Sequence, residues 1–592
     1  MRISTRRHAA RLFAVNEGPN RLPVAIKAAF TIALPLSIAL LLGHPELGLL
    51  CGPGAFTVLY GPATPARFRI KLMSAAGVGF LVAGTLGSVT AWSPTLALVA
   101  MLGVAVVATL LCAALEVGPP GPYFFALVVG VSGSMTAHGV PATTVIGGIA
   151  VGVATAIAVG MSDLVGNPRG PERDAITAAD RAITAYERTS PIPSEVGDAR
   201  ARASAALHAA WTALTDGSGR SHLSPGRHTL AAPLVALHQR YVTTTGHLAG
   251  ASVARPAVDD PDRVVPSTID LEQLRDTSLG RPRSGYLLRG ALTWPSESLV
   301  VAIRVVVAGL VSGLVAMAFD VGHAYWATAF GVLVLANVGT RHSQLFKAAQ
   351  RFVGTVIGLA VFLGLTLIAP TGWWLVAVLT LLQFSVEFLI VRNYAYAVAL
   401  ITPLALTMAT SGADHPDPTG FVRDRVLDTV IGVGVAVVVA LLVGRRTPAL
   451  LVPEYGRRTL RAIGRVTADL AEGSWASVAA RENRRHLSFE LLANADAVTR
   501  AQTDDPARVE PYLHVWNEIA DLGYFVLGAC WHPELRDNPA WFGAAKAILD
   551  PVLDTVSAAS AASLSRDLAS FRRALAAGAS GSTPPSGAPD NW

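Results

Sequence analysis

Two long stretches of this chain are almost free of charge, and nothing else in the sequence limits its possible folds as severely. Residues 24–165 contain seven Asp, Glu, Lys or Arg residues, and residues 298–443 contain thirteen. The two blocks therefore hold 20 of the chain's 88 charged residues. The rest of the 592-residue chain is about 22% charged, near the roughly 25% of ordinary soluble domains. The overall 15% charged and 52% hydrophobic composition is thus the mean of two materials, one suited to a bilayer and one to water. Along the chain they alternate as membrane, water, membrane, water.

A bilayer core about 30 Å thick is crossed by about 20 apolar residues in a helix that rises about 1.5 Å per residue. Six candidate helices fit each block. They are 24–43, 48–60, 72–91, 95–115, 122–137 and 143–163 in the first, and 298–319, 324–338, 347–369, 373–391, 393–411 and 424–443 in the second. Turn-forming pairs such as His44-Pro45, Gly61-Pro62, Ser93-Pro94 and Ala369-Pro370 separate them. The first stretch is too long for a signal-peptide core and reads as a retained anchor.

Arg and Lys set the orientation. Arg2, Arg6, Arg7, Arg11 and Arg21 precede the first helix, Arg67, Arg69 and Lys71 follow the second, and Arg341, Lys347 and Arg351 lie between the eighth and ninth. Alternation puts all of these on one side, taken as the cytoplasm, together with both polar blocks and both termini. Arg423 and Arg425 fall on the other side, accompanied by Asp424 and Asp428. The expectation is an all-α, multi-pass protein of the cell (inner or plasma) membrane with about twelve spans. Its plan is a basic N-terminus (1–23), a six-helix unit (24–165), a cytoplasmic helical domain with connector (166–297), a second six-helix unit (298–443), a C-terminal cytoplasmic helical domain (444–576) and a disordered tail (577–592).

The two blocks also resemble each other. Ala25-Ile26-Lys27 recurs as Ala302-Ile303-Arg304, and Thr144-Val145-Ile146-Gly147 as Thr429-Val430-Ile431-Gly432. Tyr123, Ala126, Leu127, Met135 and Gly139 fall on Tyr396, Ala399, Leu400, Met408 and Gly412. With an even number of spans in each, the blocks are parallel repeats about an axis normal to the membrane.

The stretch FGVLVLANVGTRHSQLFKAAQRFVGTVIGLAVFLGL from Phe330 to Leu365, with NYAYAVALITPLALTM from Asn393 and RVLDTVIGVGVAVVVALLV from Arg425, resembles the FUSC type of membrane transporter domain, the fusaric acid resistance and aromatic acid exporter superfamily. The first block matches more loosely, through Gly77, Gly79 and Gly84. The resemblance implies six-helix units followed by cytoplasmic helical regions, and export of small organic, often aromatic, anions. A passive anion channel and a non-transporting membrane scaffold acting through its cytoplasmic domains are the alternatives.

The polar blocks read as helices with apolar stripes: Leu207, Trp211 and Leu214; Leu234, Leu237 and Tyr241; Leu460, Ile463 and Leu470; Leu564, Leu568, Phe571 and Leu575. From Ala251 to Ser296 the chain reads as an extended connector. No GxxxxGK[ST], HExxH, CxxC or GxSxG motif occurs, so no catalytic residue, cofactor or metal is assigned and the chain does not read as an enzyme. Its net charge of +6 is explained by topology rather than by nucleic acid. The expected partners are the bilayer and a small organic anion, with the two halves of one chain forming the working unit.

Ionisable residues in a bilayer need a reason, either interfacial placement or function. Lys27 and Arg304 occupy equivalent places near the basic ends of the first and seventh helices, where they either snorkel to headgroups or form a cationic entrance. Glu387, withdrawn from water, is either a carrier of a coupling proton or half of a structural pair with Arg392 or Arg351. Arg425 and Asp428 are three apart and can form an intrahelical ion pair. Trp326, Tyr325, Tyr394 and Tyr396 offer aromatic surface to a substrate or to the membrane interface. The short second and eighth helices, the Gly52-Pro53-Gly54 interruption and Pro403 mark places where freed backbone groups need a cavity or close packing.

Overall fold

The structure, a computed structural model, describes residues 12–15, 18, 20–189, 193–215, 228–248, 280–336, 339–410, 418–443, 447–556 and 561–579. In chain order the helices are α1 (Leu22–Leu41), α2 (Pro45–Leu49), α3 (Gly52–Ala55), α4 (Ala66–Thr90), α5 (Pro94–Ala114), α6 (Tyr123–Ala137), α7 (Ala142–Met161) and α8 (Asp163–Gly166). Then come α9 (Gly170–Glu187), α10 (Pro193–Leu214), α11 (His228–Leu248) and α12 (Ser284–Leu292). The second apolar block forms α13 (Glu297–Ala318), α14 (Tyr325–Leu335), α15 (Arg341–Ile368), α16 (Gly372–Leu389), α17 (Tyr394–Thr410) and α18 (Pro418–Leu442). The chain ends with α19 (Thr447–Ala471), α20 (Val478–Asp504), α21 (Pro506–Ala529), α22 (Pro533–Arg536), α23 (Pro539–Thr555) and α24 (Ala561–Ala579). No strand occurs among the described residues, and the all-α expectation holds.

Local sequence sets several of these boundaries. Ser93, Ser296, Thr340 and Ser477 each accept a hydrogen bond from an amide three residues on, satisfying a donor that the first helical turn leaves open. Ala369 closes α15 in the left-handed region just before Pro370, which cannot continue a helix.

The structure divides into two compact units, Met1–Pro168 with Leu287–Arg445, and Arg169–Tyr286 with Arg446–Trp592. In the first unit, eight helices among the described residues are long and apolar enough to cross a membrane: α1, α4, α5, α7 with its continuation to Gly166, α13, α15, α16 and α18. Three shorter apolar helices, α6, α14 and α17, accompany them. The expected span 48–60 is instead broken into the end of α2, α3 and a tight turn over Phe56–Leu59. The reason is the Gly52-Pro53-Gly54 interruption, which lets this segment lie backbone to backbone on α7. A Cβ on Gly152 would strike the carbonyl of Cys51, and one on Gly54 the carbonyl of Ile149. Residues of both apolar blocks share one core, with Phe80, Ala126 and Ile149 from the first and Val305, Ala329 and Ala436 from the second.

The second unit corrects the expectation of two separate helical domains. Both polar blocks contribute to a single core, in which Trp211, Leu214 and Tyr241 pack with Ile463, Leu491 and Phe571. Arg200 of α10 pairs with Asp521 of α21 at 2.6 Å. Every residue of the four apolar stripes read from sequence is buried. Two segment boundaries also move. Residues 284–292, read as part of an extended connector, form α12, and α24 runs to Ala579, three residues into the expected tail. Arg2, Arg6, Arg7, Arg11, residues 251–279 of the connector and residues 580–592 of the tail lie outside the described residues.

A pH dependence is built into this core. Trp211 Nε1–H donates to His238 Nδ1 at 3.1 Å, which assigns His238 the neutral Nε2–H tautomer. Burial pushes His238 well below the ordinary histidine value, and burial with Arg281 nearby pushes His208 down to about 4. Below the unfolded histidine value of about 6.5 the unfolded chain binds protons that the folded one refuses, so acid destabilises this unit. Acidification from about pH 7.5 to about 5.5 is expected to lower its melting temperature, read by tryptophan fluorescence, with up to about 1.4 kcal/mol lost per pH unit for each histidine. His238→Gln should flatten the slope, and an equal slope in that variant would assign it elsewhere.

Candidate functional site

One cavity of ≈ 1440 Å³ runs through the first unit and is lined by both halves of the chain. Arg21, Ser343 and Lys347 line it where α1 and α15 begin, and Glu46, His138, His323 and Phe421 line it toward the opposite helix ends. Between them come Tyr123 at the start of α6, Tyr325 and Trp326 at the start of α14, Arg351 in α15 and Tyr394 at the start of α17. Short helices supply most of this middle zone because a helix of 11 residues, such as α14, reaches only about half of a 30 Å bilayer core.

The middle zone carries uncompensated positive charge. Arg351 and Arg425 are 2% and 1% exposed. Among the described residues, no acceptor reaches Nε or Nη2 of Arg351, or any of the three guanidinium nitrogens of Arg425. What they do contact is aromatic: Arg351 lies 4.3 Å from the Phe330 ring centroid, and Arg425 lies 4.8 Å from Phe330 and 3.8 Å from Trp326. A ring face offsets part of the charge, by about 2 kcal/mol in a desolvated site, against a burial penalty of several kcal/mol per ion. A guanidinium left in this state has donors open to an anionic acceptor. Arg425 and Asp428 do not themselves line the cavity, and Arg425 faces it through Trp326.

Glycine determines the depth of Arg351. A Cβ on Gly354, one turn further along α15, would come within 2.5 Å of the Ala395 carbonyl, so α15 and α17 touch there at their backbones. Lys347 lies one turn before Arg351 on the same face and also lines the cavity, extending positive charge along it.

The residues singled out in the sequence separate into three groups. Arg351, Trp326, Tyr394, Glu387, Gly52 and Pro53 line the cavity. Arg425 and Asp428 lie just behind it, and the intrahelical ion pair that their spacing allows does not form. Asp424 is the residue of that cluster that pairs, with His323 at 3.1 Å and Arg423 at 3.3 Å. Asp428 is fully buried and neither of its oxygens accepts a hydrogen bond of ordinary geometry, although the Ala327 amide lies near.

The remaining candidates are elsewhere. Lys27 Nζ binds Asp163 at 2.7 Å and the Gly160 carbonyl at 3.2 Å, and Arg304 Nε binds the Val443 carbonyl at 3.1 Å. Each cation thus holds the first helix of its block to the C-terminal end of the last, where the helix dipole favours positive charge. Neither lines the cavity. Tyr396 turns to the N-terminal segment, its hydroxyl donating to the Phe13 carbonyl at 3.4 Å. Gly54 packs on α7, and Pro403 is buried against Gly358 within an unbroken α17.

Glu387 finds neither expected partner. It binds Arg21 at 3.1 Å, while Arg392 lies on the Phe388 ring. Tyr123 and Tyr394, each seven residues after a cavity-lining glutamate, Glu116 and Glu387, are within electrostatic reach of one another. An ungapped alignment of the two blocks sets Tyr123 against Tyr396, whereas the shared spacing from the two glutamates sets it against Tyr394. Phe330 and Lys347 are cavity or cluster residues that the sequence reading did not single out. The four-residue spacing of Lys347 and Arg351 was the available signal for the last of these.

Residues 310–439 match the family described as fusaric acid resistance protein-like, which contains Trp326, Phe330, Arg351, Arg425 and Asp428. The resemblance read from the second block is thereby shown over that range. The chain is also 25% identical over 566 residues to the uncharacterized membrane protein YvaC of Bacillus subtilis (strain 168), covering 88% of this chain and 87% of the relative. No solved structure gives a significant match. The chain is therefore a membrane protein, and these matches support a transporter-like role.

Proposed function

We propose that the first unit carries small organic anions out of the cell through the cavity that Arg351 lines. The observation behind this is Arg351 itself, a buried guanidinium with unpaired donors on a cavity that both ends of the helices help to line. Trp326, Tyr325 and Tyr123 give the same zone apolar ring surface for the body of an aromatic acid. The fusaric acid resistance description of the matched family agrees with an organic acid as substrate. Both blocks repeat the order long, broken or short, long, long, short, long, which supports twelve membrane segments in two parallel halves. Basic residues at one set of helix ends support a plasma-membrane protein with both termini and the second unit in the cytoplasm.

Expelling an anion from a cell that is negative inside is electrically downhill, by about 2.3 kcal/mol per charge for each 100 mV. Proton motive force therefore drives export through its electrical part, alongside the substrate's own gradient. The ion pair of Glu387 with Arg21 favours this over proton exchange at Glu387, and it equally fits a passive anion channel. Glu387→Gln is expected to keep anion efflux from proteoliposomes within about threefold of wild type, since the residue lost is a partner of Arg21 and not a binding group. Loss of proton-driven accumulation alone in that variant would assign Glu387 the coupling proton instead. Efflux of aromatic and aliphatic acids, with and without a proton gradient, tests the function itself.

A further inference from the structure

The geometry points to Asp428 as the residue that sets the valence of the anion this path accepts. This rests on the anion-path reading above. Arg351 and Arg425 place two positive charges beside Phe330. Asp428, one turn from Arg425 on α18, is a buried carboxylate within electrostatic reach of Arg425 and paired with no cation among the described residues. Ionised, it leaves the cluster with a net charge of +1, which a monoanion neutralises. Protonated, it leaves +2, which a dianion neutralises. In a medium of low effective dielectric the field of one charge extends well past contact distance, so Asp428 acts on a bound anion without touching it.

The cluster occurs once per chain. On the alignment of Thr144–Gly147 with Thr429–Gly432, Arg425 and Asp428 fall on Val140 and Thr143 of the first block. One site, with one internal carboxylate, therefore sets the preference.

Other charged or titratable groups face the same region. Arg351 comes from α15, Tyr123 from α6, Tyr325 from α14 and Tyr394 from α17. Asp424 on α18, with its partners His323 and Arg423, lies toward the opposite helix ends, where His138 stacks near His323 at 6.3 Å. Glu116 and Glu387 line the cavity elsewhere. An Asp428→Asn variant separates Asp428 from all of these, because it holds that one position neutral and leaves the others in place.

The test uses benzenesulfonate and benzene-1,3-disulfonate, which stay fully ionised throughout the working range, so that pH acts only on the protein. Their efflux from proteoliposomes of the full chain is compared at about pH 6 and about pH 9. In wild type the ratio of disulfonate to monosulfonate efflux is expected to rise about tenfold on acidification, the effect of one unit charge at this range. In Asp428→Asn the high ratio should persist at both pH values. A wild-type ratio that does not change with pH overturns the inference without any variant. So does a pH-dependent ratio that survives unchanged in Asp428→Asn, which would move the effect to another group. If neither probe leaves wild-type vesicles faster than protein-free ones, the anion-path reading itself fails.

Discussion

Arg351→Met is expected to reduce anion efflux about 100-fold and, at the same time, to leave the protein at least as stable as wild type. The first effect follows from losing a charged hydrogen-bonding group that a passing anion meets in a dry site, worth about 2.7 kcal/mol, or two powers of ten in rate. The second follows from the absence of any acceptor on Nε or Nη2 among the described residues. An unpaired buried guanidinium opposes folding, and an apolar side chain of similar length removes that penalty at the loss of one ring contact with Phe330. A residue kept for packing would show the reverse, with lower stability and undiminished transport per folded molecule. Thermal unfolding in detergent, together with efflux normalised to inserted protein, separates the two.

The second large effect concerns the seat of that arginine. Gly354→Val is expected to lower the yield of folded protein severely, by an amount equivalent to about 3 kcal/mol, because its branched side chain meets the Ala395 carbonyl and the Val398 side chain, and a backbone neighbour cannot move aside. Gly364→Val on the same helix is the control. No atom lies within 4 Å of a Cβ placed there, so that variant should fold with normal yield. Size-exclusion profiles of the two proteins check this directly. Equal behaviour would mean that α15 and α17 are not held together at Gly354.

The parts of this protein that hydrophobicity and periodicity govern were legible in its sequence. The apolar stripes Leu207-Trp211-Leu214 and Leu564-Leu568-Phe571-Leu575 are buried as their spacing requires. What the stripes do not encode is which other stripe each one meets, and so two polar blocks separated by a whole membrane unit joined into one core. Partner choice escaped for the same reason. Glu387 and Arg21 are 366 residues apart, and nothing local favours that pair over Arg392 or Arg351.

The Lys27 and Arg304 equivalence was visible, but its meaning was not, since a cation at a helix end looks the same in sequence whether it faces a pore or caps a neighbouring helix. Arg351 and Arg425 were nameable because charge in an apolar run is conspicuous. That both lie on one phenylalanine, with donors unfilled, is a fact of packing.

The most direct test of an anion path past Arg351 is the voltage dependence of benzenesulfonate efflux from proteoliposomes. With wild-type protein, making the vesicle interior negative should accelerate efflux, approaching the roughly 50-fold per 100 mV that a single charge crossing the whole potential allows. With Arg351→Met at the same protein density the protein-dependent efflux should fall about 100-fold at every potential. Efflux that ignores the potential, or that Arg351→Met leaves intact, would contradict a path whose central group is this buried guanidinium.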